Sequence, residues 1–273
     1  MKSKAIGVLS IGLLFAASAA LGQVSSETVS TTTPAAASTR QHPPMRLVAD
    51  FFDGTVTSTN WSGYAVTGSD FTYAKGSWHV PQVDCTTTPN TYSAFWVGID
   101  GYSDGTVEQT GTASDCNGTT PSYYAWYEFY PAGSVVISMT VNPGDVMGGS
   151  VTYSNGEFTI GLHDHTTGAE FSTTQAVSGA DRTSAEWIAE APCCTSGGGI
   201  LPRADFVRAN FGEDYNSDPG TNNATDSTEN DRPIGSFGTH IEEITMKAGS
   251  LTEASPTALT SDGTSFRVNW KAE

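Results

Sequence analysis

Short apolar runs alternate with polar positions along most of this chain, and turn-forming residues separate them. The pattern predicts strands over Phe95-Trp96-Val97-Gly98-Ile99, Ala125–Tyr130, Val135–Val141, Ser150–Tyr153, Glu157–His163 and Ser265–Trp270. Asn155-Gly156 is a strong two-residue hairpin signal, and Thr166-Thr167-Gly168 marks a second turn. No stretch of about a dozen residues carries a convincing 3.6-residue period. Regular short strands without helices predict an all-β fold, a sandwich or a jelly roll.

Alternation also assigns faces, because successive side chains on a strand point to opposite sides. Phe95, Val97 and Ile99 form one apolar face, and Trp96, Gly98 and Asp100 point the other way. Tyr127 and Phe129 oppose Trp126, Glu128 and Tyr130. Glu186, Ile188 and Glu190 share a face opposite Trp187 and Ala189. Several strands therefore carry a second face of tryptophan, carboxylate and glycine. Such a face suits the floor of a binding groove. A second core layer is the plainer alternative, but buried unpaired carboxylates are costly.

The ends differ from the middle. Lys2 and Lys4 precede a mostly apolar run from Ala5 to Ala20, and small residues around Ser18-Ala19-Ala20 and Leu21-Gly22 mark its end. That is the layout of a signal peptide, expected over residues 1–22. Ser25–Thr39 is rich in Ser, Thr, Ala and Pro and would struggle to bury a core. Residues 23–56 are therefore expected to be a linker or removable pro-segment. Residues 57–273 are left as one sizeable β domain. The mature protein is expected to be secreted, extracellular or periplasmic, with no membrane attachment after signal removal.

Charge narrows the partners. The formal net charge is -17, and from residue 56 onward 8 Lys/Arg face 26 Asp/Glu. Phosphate binding needs basic surface, so nucleic acid is excluded as a partner. A carboxylate-rich, lysine-poor chain also resists acid, because neutralised carboxylates leave few cations to repel one another. The four cysteines allow three pairings. Cys85 with Cys116 is favoured, which leaves Cys193 and Cys194 to form a vicinal disulfide.

Two common hydrolase signatures are missing: there is no His-Glu-x-x-His and no Asp-Thr/Ser-Gly. No Cys/His spacing fits zinc, and His163-Asp164-His165 has no third ligand nearby. The acidic stretch 212–235 matches no EF-hand loop and reads as a solvated loop. No metal or cofactor is expected. What remains is carboxylates, tryptophans and one well-placed glutamine.

Five segments carry a resemblance. They are Asn60-Trp61-Ser62-Gly63-Tyr64, Phe95 to Gly101, Glu108-Gln109-Thr110-Gly111, Trp126-Tyr127-Glu128-Phe129-Tyr130-Pro131 and Ala185-Glu186-Trp187-Ile188-Ala189-Glu190. In order and approximate spacing they resemble the glutamic peptidases, or eqolisins. Pro256–Leu259 and Asp262–Trp270 look like the closing strands of bacterial-type members. The resemblance implies a lectin-like (concanavalin-like) sandwich of two antiparallel sheets and acid endopeptidase activity. It carries the catalytic roles onto Gln109 and Glu190. Trp61, Trp96, Asp100, Trp126 and Glu128 become candidates for binding protein or peptide substrates, and the enzyme is expected to act as a monomer. The chain departs from the familiar fungal pattern at Tyr124, where those members have Asp before Ala-Trp-Tyr-Glu.

The chemistry fits these residues. A glutamate with an ordinary pKa near ~4.3 is partly ionised in mild acid, where a histidine base would be protonated. A glutamine amide donates hydrogen bonds at any pH. The alternatives are a glycoside hydrolase using paired carboxylates such as Glu128 and Glu190, or a carbohydrate-binding lectin-like module. A glycosidase needs no particular amide and a lectin needs neither group, so Gln109 separates the three.

Overall fold

A computed structural model of the chain describes residues 40–50, 55–193 and 199–272. In chain order the strands are β1 (Leu47–Asp50), β2 (Thr55–Ser58), β3 (Trp61–Thr67), β4 (Tyr73–His79), β5 (Tyr92–Ile99), β6 (Val107–Asn117), β7 (Thr120–Tyr130), β8 (Val135–Ile137), β9 (Val146–Ser154), β10 (Glu157–Asp164), β11 (Ala169–Gln175), β12 (Ser184–Glu190), β13 (Arg208–Phe211), β14 (Asn223–Thr225), β15 (Arg232–Pro233), β16 (Ile241–Ala248), β17 (Leu251–Pro256) and β18 (Phe266–Trp270). The one α-helix among the described residues, α1 (Glu213–Asn216), lies in the acidic stretch. No helix among them is long and apolar enough to cross a membrane.

The pairings build two layers. One runs β1-β2-β16-β3-β12-β5-β6-β7-β8. The other runs β17-β18-β13-β4-β9-β10-β11, with β14 and β15 beside β4. Strand β16 joins both: its first half pairs with β3 and its end pairs with β17. Apart from the parallel β2–β16 pair, the ladders are antiparallel. The fold is thus an all-β sandwich, as expected.

Turn chemistry sets the hairpins where the sequence places them. Asn155 and Gly156 both have positive φ (53° and 86°) and connect β9 to β10 in the left-handed turn that matches strand twist. Asp164 closes the next turn, accepting the Thr166 and Thr167 amides at 2.8 and 3.2 Å. The expected strand Val135–Val141 is shorter, ending at Ile137. Cys85 and Cys116 form the favoured disulfide. Cys194 lies outside the described residues, so the vicinal pairing does too.

The main core lies between the layers. It takes Phe95, Val97, Ile99, Phe129, Ala185, Trp187 and Ala189 from the first layer, and Trp78, Met147, Phe158, Ile160 and Phe266 from the second. Trp187 is fully buried, and its indole N–H donates to the Lys75 carbonyl at 2.9 Å. Truncating a side chain of that size in a packed core costs about 3–5 kcal/mol. On the opposite face of the first layer a second apolar cluster gathers Trp61, Trp96, Val107, Trp126 and Ile188. That is the tryptophan face that strand alternation separates from the core.

Candidate functional site

The first layer presents its acids and amide on this tryptophan face. Gln109 on β6 is paired in register with Glu128 on β7, and on its other side with Gly98 on β5. Its Nε2 donates to Glu128 Oε2 at 3.0 Å. Gly98 is a packing requirement here: a Cβ on it would lie 3.0 Å from the Trp96 ring and 3.2 Å from the Gln109 Cβ.

Glu190 ends β12, opposite Trp61 of β3 and Ala94 of β5. Trp96 Nε1 donates to its Oε2 at 2.9 Å. Trp61 packs edge-on against Trp96, with centroids 4.9 Å apart. Register alone aligns Gln109 with Glu186 through Gly98, so Glu190 lies four residues further along β12.

The residue that touches both Gln109 and Glu190 is His42. Gln109 Nε2 donates to the His42 carbonyl at 2.7 Å, and His42 Nδ1 lies 2.7 Å from Glu190 Oε2. The His42 amide donates to Glu128 Oε2 at 3.0 Å. Its ring stacks flat on Trp126 at 3.6 Å. Gln109, Glu128, Glu190, Trp61, Trp96 and Trp126 are all fully buried with His42 in place.

Burial dominates the electrostatics. It pushes the Glu190 carboxyl well above the usual carboxylate range, and the nearby Glu128 charge pushes it further. Burial raises Glu128 likewise. It also holds the His42 imidazole well below its usual value, helped by the Arg40 charge. The neutral forms are therefore favoured while the site is covered.

Asp100 is not brought to this cluster. It sits fully buried with φ 69°, and its two oxygens accept the Arg182 and Thr183 amides at 2.8 and 2.7 Å. It holds the loop that carries Arg182 and Thr183. Among the described residues, no group of three or more His, Cys, Asp or Glu side chains is placed to hold a metal ion.

Sequence reasoning passes over His42, Arg40 and Asp115. His42 and Arg40 sit in the stretch taken as linker, and only the fold carries that stretch across the tryptophan face. Asp115 reads as one polar position among several at the end of β6.

A β-sandwich with a Gln/Glu-bearing tryptophan face defines the class: a glutamic peptidase. Residues 59–257, more than half of the chain, match the Peptidase A4 family, and the chain belongs to that family. It is 29% identical over 226 residues to aspergillopepsin-2 of Aspergillus niger, covering 72% of this chain and 74% of that protein. It is 35% identical over 161 residues to scytalidopepsin B of Scytalidium lignicola, covering 55% of this chain and 60% of that protein. The fold superposes on scytalido-glutamic peptidase bound to a transition state analog inhibitor, with a TM-score of 0.64 and 24% identity, over 78% of this chain and 98% of that one. Aspergilloglutamic peptidase from Aspergillus niger gives 0.55 at 24% identity, over 66% and 99%. The chain is a glutamic endopeptidase.

Proposed function

We propose that the chain is a secreted acid endopeptidase in which Glu190 is the general base and Gln109 the oxyanion donor. The observation that carries this reading is that the Gln109 amide and the Glu190 carboxylate converge on one residue, His42, at its carbonyl and its imidazole. A substrate carbonyl seated where the His42 carbonyl lies accepts from Gln109. Water attacks the carbonyl carbon and Glu190 takes its proton. The developing oxyanion is held by the Gln109 N–H, a contribution of roughly 3–4 kcal/mol for one such donor in other enzymes. Glu190 then returns the proton to the departing nitrogen, and the C–N bond breaks.

Glu190 must be ionised to act as base. Its raised pKa follows from burial, so opening the face to solvent returns it toward the ordinary glutamate range. Glu128 orients the Gln109 amide, and Trp61, Trp96 and Trp126 line the groove. Peptide substrates are supported by relatives solved with a peptide-based transition state analog and with the tripeptide Ala-Ile-His. The Cys85–Cys116 disulfide supports export, with residues 1–22 as signal and 23–56 as a removable segment.

The test is hydrolysis of unfolded protein at pH ~3–4, run beside polysaccharides, with EDTA and serine-directed reagents present. Peptide cleavage indifferent to both reagents is expected. Sugar release without peptide cleavage would favour the paired-carboxylate glycosidase instead.

A further inference from the structure

We propose that the outer face of the second layer carries an oxyanion-binding site, built from Lys75, Ser150, His163 and His165, that fills in acid and empties toward neutral pH. The site lies on the layer away from the tryptophan face, and it does not rest on the roles of Gln109 and Glu190.

Alternation sets the face. Ala74, Trp78, Met147, Val151, Ile160 and Leu162 point into the core from β4, β9 and β10. Lys75, Ser150, Gly161 and His163 therefore point outward. Register sets them side by side: Ser150 pairs with Lys75 on one side and with Gly161 on the other, and His163 pairs with Gly148. Two glycines hollow this surface. A Cβ on Gly161 would lie 2.9 Å from Ser150 Oγ, and one on Gly148 would lie 2.6 Å from His165 Nε2. The result is a cavity of about 260 Å³. Sites for drug-sized ligands run to roughly 300–1,000 Å³, so this one suits a small ion.

The charges around the cavity are mostly positive. Lys75 Nζ and His165 Nε2 each lie 3.1 Å from Asp218, on separate oxygens. Asp218 is buried, and each of its oxygens is committed to one of these partners. The His163 ring lies 4.2 Å from the His165 ring, and its Nε2 is 3.8 Å from the mostly exposed Glu170. An exposed pair of that kind holds little charge in place. Tyr73 brings a hydroxyl that keeps its proton, because burial and the charges of Asp231 and Asp218 raise its pKa.

Acid changes the balance. Imidazoles take up protons as pH falls through about 6.5. With both rings protonated, Lys75, His163 and His165 are three cations facing one buried acid and one exposed acid. That is a local excess of positive charge on a chain of formal net charge -17. Two imidazolium rings this close repel, and an anion seated in the cavity relieves the repulsion. The Ser150 hydroxyl supplies a neutral donor to it. The ligand class is a small oxyanion, either an inorganic one or a carboxylate.

The experiment is calorimetric titration of the full chain with sodium sulfate at about pH 4.5 and about pH 7.5, on either side of the histidine range. Sodium chloride of equal ionic strength is the reference. Sulfate keeps its charge across this window, so a pH dependence reports on the protein. Saturable binding at the lower pH is expected, at least about tenfold weaker at the higher. His163→Gln and Lys75→Gln should each weaken the low-pH binding at least about tenfold. Circular dichroism checks folding, and His163→Gln, at a partly exposed position, remains the reporter if Lys75→Gln, which leaves Asp218 without its lysine, does not fold. Sodium malonate is titrated beside sulfate. Tighter binding of malonate names a carboxylate as the ligand and tighter binding of sulfate an inorganic oxyanion, and either supports the site. No saturable binding of either anion, equal affinity at both pH values, or binding undiminished by His163→Gln overturns it.

Discussion

Gln109 and Glu128 face each other across the β6–β7 ladder, and the amide donates to the carboxylate at 3.0 Å. That bond settles which way the amide points. With Nε2 committed to Glu128, its second N–H is aimed at the His42 carbonyl, the position assigned to the oxyanion. The amide is therefore oriented before any substrate arrives, which is what electrostatic stabilisation of a transition state requires.

Glu190→Gln removes the proposed base with little change of shape, and Gln109→Ala removes the donor. Each is expected to lower kcat at least about a hundredfold, and the double variant little further, because groups acting as a unit are non-additive. Glu128→Gln should cost less, since an amide oxygen still accepts from Gln109. Glu186→Gln is the discriminating control, because register alone aligns Glu186 with Gln109. Steady-state kinetics checks all four, and abolition by Glu186→Gln with tolerance of Glu190→Gln would move the base to Glu186.

Gly98→Ala tests positioning without touching a reacting group. The new methyl crowds the Trp96 ring at 3.0 Å and the Gln109 Cβ at 3.2 Å. Overpacking of this kind costs about 1–3 kcal/mol. The expected outcome is a folded protein with kcat down about tenfold and KM little changed. Unaltered kcat would show that the Gln109 position tolerates displacement.

Stability should fall as pH rises. Burial lifts Glu108 from its ordinary 4.5 to about 9, with Asp100 and Asp104 adding repulsion. Burial and Asp104 lift Asp100 to about 7, and burial lifts Glu186 well above its usual range. These groups keep their protons when folded and lose them when unfolded. The Glu108 contribution is whole below its ordinary 4.5 and shrinks toward pH 9, and that of Asp100 is whole below its ordinary 3.8 and shrinks toward pH 7, each by up to about 1.4 kcal/mol per pH unit. Thermal melts from pH 4 to 9 should show Tm decreasing, and Glu108→Gln should flatten the slope. A Tm that climbs toward neutral pH contradicts this.

Replacing Cys85 and Cys116 together by Ser should reduce stability by about 3–4 kcal/mol, on the chain-entropy estimate for a closed loop of this size. The two residues are 31 apart in sequence. Denaturant titration measures the loss, and activity in dilute acid should persist, because the bridge makes no contact with Gln109 or Glu190.

Local rules decided much of this protein. Two-residue periodicity assigned Trp96, Trp126 and Glu190 to the face opposite the core, and Asn155-Gly156 placed a hairpin, because side-chain direction and turn conformation depend on near neighbours alone. Motif order gave the family, and with it the proposal of Gln109 and Glu190 as the catalytic pair. Only the tertiary structure could decide what lies against that face. His42 and Glu190 are 148 residues apart. The polar, proline-rich stretch around His42 has no periodicity to mark it, so it reads as a linker until the fold lays it across the tryptophans. Asp100 shows the same limit from the other side: alternation gave its direction, but the loop carrying Arg182 and Thr183 had already taken its oxygens. A carboxylate's chemistry depends on which partners reach it, and those partners are brought together by chain closure over long separations rather than by the local pattern.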